Sequence, residues 1–210
     1  MTKEYSVYNQ IEEIKREIKM NPDKEGLYND LGVGYFLIGE YDKSIEYLER
    51  AVKYNSENFS YKYNLANSYA ETERFDLAIR NYIDAIDLNP NHIPALNNLA
   101  DSYEKIGDEE KALDLFIYIT KLSPQNALAH FNLGNFYLRR NNHQEAARKY
   151  KKAIETEPGF TDAYFNLAWI LHEIKAYKDA LFYAEKGLLL DEHHEDLQNL
   201  SYKIRSTLGN

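Results

Sequence analysis

The feature that most constrains this chain is a spacing. Asn64, Asn98, Asn132 and Asn166 follow one another at intervals of 34 residues, as do Leu31, Leu65, Leu99, Leu133 and Leu167. Pro22, Pro90, Pro124 and Pro158 keep the same phase, with Ser56 filling the one gap. A chain that repeats itself at this period is a stack of like units, each burying its apolar face against its neighbours. Five copies follow: 25–58, 59–92, 93–126, 127–160 and 161–194.

Each copy reads as two amphipathic helices. In the fourth, His130, Leu133, Gly134 and Tyr137 fall at i, i+3, i+4 and i+7, the spacing of one helix face, and Ala146, Tyr150 and Ala153 do the same for a second helix. Alanine and glycine at inner positions let the two helices approach closely. Gly39, Gly107 and the pair Asn141-Asn142 supply chain reversals between them. The proline closing most copies ends the second helix.

The second copy carries Leu65, Ala66, Tyr69, Ala78, Tyr82, Ala85 and Pro90, and the first carries Tyr28, Leu31, Gly32, Tyr35, Ser44, Leu48 and Ala51. This pattern resembles the tetratricopeptide repeat family over essentially the whole chain. The resemblance implies an all-α fold, a right-handed α-solenoid of helix-turn-helix repeats. The fifth copy departs most: Leu171 replaces the tyrosine, Ala184 the aromatic and Gly187 the second alanine. It is expected to pack against something other than a sixth standard repeat. Residues 195–210 supply that partner as a C-terminal capping helix, with Leu197, Leu200, Ile204 and Leu208 on one stripe. At the other end, residues 1–24 read as an N-terminal half-repeat helix, because Met20-Asn21-Pro22 matches Leu88-Asn89-Pro90. Twelve helices are expected.

Function has to be argued from surfaces. On a helical wheel the stripe opposite the packing face of copy four is Leu128, Asn132, Asn135 and Arg139. The same stripe carries Asn64, Asn67 and Glu71 in copy two, Asn98, Asp101 and Lys105 in copy three, and Asn166, Trp169 and Glu173 in copy five, with Tyr63, Phe131 and Phe165 on its flank. The resemblance implies that this stripe lines a concave groove where partners bind. An asparagine side chain offers one acceptor and two donors, which match a peptide backbone. Regularly spaced amides could thus hold an extended protein or peptide ligand largely independent of its sequence, with the aromatics choosing among ligand side chains. Asn64, Asn67, Asn98, Asp101, Asn132, Asn135, Asn166, Trp169, Tyr63, Phe131 and Phe165 are therefore the candidate peptide-binding set. The alternative use of the amides is a bond to a neighbouring repeat, and that of Trp169 is half-burial against the C-terminal helices.

Other chemistries find little support. The family's carboxylate clamp for chaperone tails needs basic residues where this chain has Asn29, Pro94 and Asn98. Gly32-Val33-Gly34 lies inside a helix and lacks the strand of a phosphate loop. His172 beside Glu173 lacks a nucleophile at defined spacing, and His193-His194 reads as a loop before an exposed helix, so no metal site, cofactor or catalytic constellation is expected. There is no cysteine, which excludes thiolate chemistry. A net charge of −9 argues against a nucleic-acid partner. No apolar run reaches membrane-spanning length, and the first residues lack a signal-peptide core, so no membrane insertion and a cytoplasmic location are expected. The charge is uneven: residues 127–160 hold Arg139, Arg140, Arg148, Lys149, Lys151 and Lys152 against Glu145, Glu155 and Glu157. A partner patch and a solvated helix face are the two readings of that cluster. The leading expectation is a non-catalytic interaction scaffold. The alternatives are a self-assembling module, a homo-oligomer through its terminal helices, and a regulatory subunit of an enzyme on another chain.

Overall fold

The computed structural model of the protein describes residues 3–209, with side chains from Ser6 onward. Among these residues are twelve α-helices and no strand: α1 (Lys3–Met20), α2 (Glu25–Leu37), α3 (Tyr41–Tyr54), α4 (Phe59–Glu71), α5 (Phe75–Leu88), α6 (Ile93–Lys105), α7 (Glu109–Leu122), α8 (Ala127–Arg139), α9 (His143–Thr156), α10 (Thr161–Glu173), α11 (Tyr177–Leu190) and α12 (Glu195–Leu208). Every helix from α2 to α9 starts 34 residues before the corresponding helix of the next copy.

Local chemistry sets these boundaries. Asn58, Asn126 and Asn142 cap α4, α8 and α9 by accepting backbone N–H bonds, and His92 and His194 do the same for α6 and α12 through Nδ1. Such a cap answers donors that the first helical turn leaves unpaired. The turn inside every copy contains one residue of positive φ, always at the same phase: Gly39, Glu73, Gly107, Asn141 and Lys175. The left-handed conformation reverses the chain between paired helices, so two copies hold a charged, β-carbon-bearing residue where glycine is favoured.

The chain divides into two compact units, residues 1–115 and 116–210, with the division inside α7. In the first unit, α1 lays Ile11 against Leu31 and Tyr35 of α2. Further on, Leu48, Leu65, Ala66, Tyr69, Ala78 and Tyr82 form a continuous buried cluster, and the buried hydroxyls of Ser44 and Ser68 satisfy each other at 2.8 Å between α3 and α4. In the second unit, Leu167, Ile170, Ala180 and Ala184 pack with Leu197, Leu200 and Ile204 of α12. Burying each such leucine or isoleucine contributes about 1.5–3 kcal/mol. One departure of copy five, Gly187, has its reason here. A β-carbon on Gly187 would lie 2.7 Å from Leu197 Cδ1 and 3.1 Å from Tyr164 Cβ, so glycine is what lets α12 close over α11.

Candidate functional site

The asparagines of the first helices do not stand as isolated rungs. In the first unit, Asn98 on α6 donates from Nδ2 to Asn67 Oδ1 on α4 at 2.9 Å, and the Tyr82 hydroxyl on α5 donates to the same oxygen at 2.7 Å. In the second unit the node recurs 68 residues on. Asn166 on α10 donates to Asn135 Oδ1 on α8 at 3.2 Å, and the Tyr150 hydroxyl on α9 donates to that oxygen at 2.7 Å. Burial pushes the Tyr82 and Tyr150 hydroxyls well above the usual phenol range, so both keep the proton they donate.

Each node fixes which way its amides point. The Asn67 carbonyl oxygen is taken twice, so the group it can present outward is its pair of Nδ2 donors; Asn98 spends a donor inward and presents its oxygen. Asn135 and Asn166 repeat this order. Asn64 is arranged differently, donating to Asn29 Oδ1 at 2.9 Å, because Val33 stands in copy one where Asn67 stands in copy two. Asn132 and Asp101 also have interaction partners.

In the first unit Asn67, Asn98 and Asp101 come together in a cleft of about 480 Å³, shared with Glu71, Lys105 and Phe36 of the first helices. Phe75 and Tyr82 of α5 also line it. Sequence reasoning missed these two because it confined the site to first helices. The available signal was that Asn67 and Asn135 each have a tyrosine 15 residues later. A second cleft, of about 480 Å³, brings Asn29, Asp30, Val33 and Leu37 of α2 against α1.

The flanking aromatics lie half-buried beside the nodes. Tyr63 stacks on Phe59, with ring centroids 5.7 Å apart, and meets His92 edge-on at 5.0 Å; its hydroxyl lies 3.4 Å from Asn98 Nδ2. Phe131 sits between Tyr150 and Phe160, and Phe165 lies over His194 at 5.8 Å. Trp169 packs half-buried on the core of the second unit and meets His143 edge-on at 6.1 Å. Thus Tyr63, His92 and Tyr82 in the first unit correspond to Phe131, Phe160 and Tyr150 in the second, an aromatic wall beside each node.

Of the histidine clusters, His194 caps α12 and His172 lies 3.2 Å from Glu173. No group of three or more metal-ligating side chains occurs among the described residues. No helix among them is long and apolar enough to cross a membrane.

Two family models described as tetratricopeptide repeat match the chain, one at residues 29–93, 63–127 and 97–159 and the other at 137–204. No curated protein matches. Among solved structures, PilF of Pseudomonas aeruginosa is 18% identical with a TM-score of 0.72, covering 88% of this chain and 84% of its own. MamA (41–end) from Desulfovibrio magneticus RS-1 is 19% identical with a TM-score of 0.70, covering 82% and 97%. YrrB, described as a TPR protein with an unusual peptide-binding site, is 17% identical with a TM-score of 0.64, covering 89% and 96%.

Proposed function

We propose, from the premise that the chain belongs to the tetratricopeptide repeat family, that it is a non-catalytic scaffold holding an extended segment of a partner protein along the asparagine face of its first helices. The fold is that of an interaction scaffold. The finer reading rests on one observation: Asn67 and Asn98 line the same cleft with their amides locked in opposite senses by Tyr82 and by each other. One therefore presents donors and the other an acceptor, the pair of groups a peptide backbone offers in return. Pre-set amides bind without first losing the freedom to flip, which saves ordering entropy. The apolar lining from Phe36, Phe75 and Ala70 gives a ligand side chain somewhere to go.

A peptide array probed with the full chain tests this. Asn67→Ala and Asn135→Ala together remove the outward donors of both nodes, and circular dichroism establishes that the double variant is folded. Binding should fall ~tenfold or more. Unchanged binding by the folded variant would show that the amides serve packing between repeats alone.

A further inference from the structure

On the second unit, α9 and the end of α10 form a cleft of about 580 Å³ lined by Ala147, Arg148, Lys151, His143, Leu171 and Ile174, among others. Two side-chain truncations accompany it. Where copies one, two, three and five carry Ile45, Ile79, Leu113 and Leu181, copy four carries Ala147. Where copies one to four carry Tyr35, Tyr69, Tyr103 and Tyr137, copy five carries Leu171. The two small residues come from different copies yet face one cavity, so the shortening of each removes bulk from the same place.

The rim is changed as well. At the positions of Arg148 and Lys151, copy one has Glu46 and Glu49, so a face that is acidic there is basic here. Arg148 is held by Glu145 at 2.8 Å in an exposed pair, a kind of contact weak enough to be exchanged for a ligand carboxylate. The Lys151 ammonium lies 6.0 Å from the Tyr183 ring. Lys149 and Lys152 extend the positive surface on the same helix, within a chain of net charge −9. An apolar floor of Leu171, an exposed Ile174 at the edge and a cationic rim complement one kind of occupant.

We propose that this cleft is a second docking site, for a segment of a partner protein in which one aliphatic or aromatic side chain is flanked by Asp or Glu. The apolar side chain enters over Ala147 and Leu171, and the flanking carboxylates meet Arg148 and Lys151, which steer the encounter as well as hold it. None of the node residues Asn135, Tyr150 and Asn166 lines this cleft.

A displayed library of random heptapeptides, selected on the full chain and counter-selected on Ala147→Ile, tests it. That substitution refills the cleft with the side chain that copies one and two already carry, so the fold is expected to tolerate it; Leu171→Tyr refills it from the other wall. Binding of a selected peptide is followed by the fluorescence of Trp169, the single tryptophan, whose ring neighbour His143 lines the cleft. The selected peptides should share an apolar residue between acids. Ala147→Ile, Leu171→Tyr and Arg148→Glu/Lys151→Glu should each weaken them ~tenfold or more, while Asn67→Ala/Asn135→Ala leaves them unchanged. The proposal is overturned if no peptide is selected, if the selected peptides lack acidic residues, or if the refilled variants bind equally well. It is also overturned if light scattering shows the cleft covered by a second copy of the chain, as a dimer lost in Ala147→Ile.

Discussion

Lys175 and Glu73 hold positive φ at the turn where copies one and three place glycine. A β-carbon in that conformation costs about 1 kcal/mol, so Lys175→Gly or Glu73→Gly should raise the unfolding free energy read from urea denaturation, by up to that amount once glycine's looser unfolded state is counted. The position was legible from Gly39, Gly107 and Asn141; that two other copies force charged residues into the same turn was not, because residue type alone does not carry the sign of φ. The node has a corresponding test. Tyr82→Phe keeps the ring and removes one of the two donors to Asn67 Oδ1. It should cost about 0.5–1.5 kcal/mol in denaturant unfolding and weaken groove ligands further, because the amide is then held by Asn98 alone. Asn64, Asn98, Asn132 and Asn166 were visible as a series, but the hydroxyls that orient Asn67 and Asn135 lie on other helices, outside the reach of a single-helix wheel.

Helix α6 is capped by His92, whose Nδ1 accepts from Ala95 N–H at 3.1 Å. Accepting there requires an unprotonated nitrogen. Burial holds the His92 pKa below its ordinary value of 6.5, and the cap is lost when the ring charges. A group depressed on folding contributes stability that is present above its unfolded pKa and is lost as the pH falls through the folded one. Stability of the first unit should therefore decline as the pH falls below about 6.5. His92→Asn, which copies the caps at Asn58 and Asn126, should flatten that decline when thermal melts are compared at pH 7.5 and pH 5. The helix pairs themselves were fully legible, since the apolar period and the 34-residue phase agree. The histidine cap was not, because histidine is outside the usual set of capping residues.

The molecule is an α-helical repeat solenoid, and an array of this kind depends on what covers its last units. Leu197, Leu200 and Ile204 of α12 are almost wholly buried against α10 and α11. Ending the chain at Leu190 should uncover Gly187 and Tyr164, which Leu197 of α12 closes over, lower the melting temperature and start unfolding at that end. A change in Trp169 emission should then precede loss of overall helical signal. The twelve helices could be counted in the sequence because packing residues recur at one phase. What distinguishes the copies as surfaces could not, since it depends on which side chains of successive helices meet.

The node also restricts how such a sequence can change. If Asn67 alone became apolar, the buried Tyr82 hydroxyl would lose its acceptor, at about 1–3 kcal/mol; if Tyr82 alone changed, the amide would lose one of the two donors that orient it. Neither residue is readily replaced by itself. The remaining copies fit that rule: Val33 goes with Leu48, Asp101 with Phe116 and Trp169 with Ala184, so asparagine and tyrosine are absent together. Across the five copies the asparagine and the tyrosine 15 positions later are thus either both present or both absent. Building a third station into copy one would take Val33→Asn and Leu48→Tyr in one move.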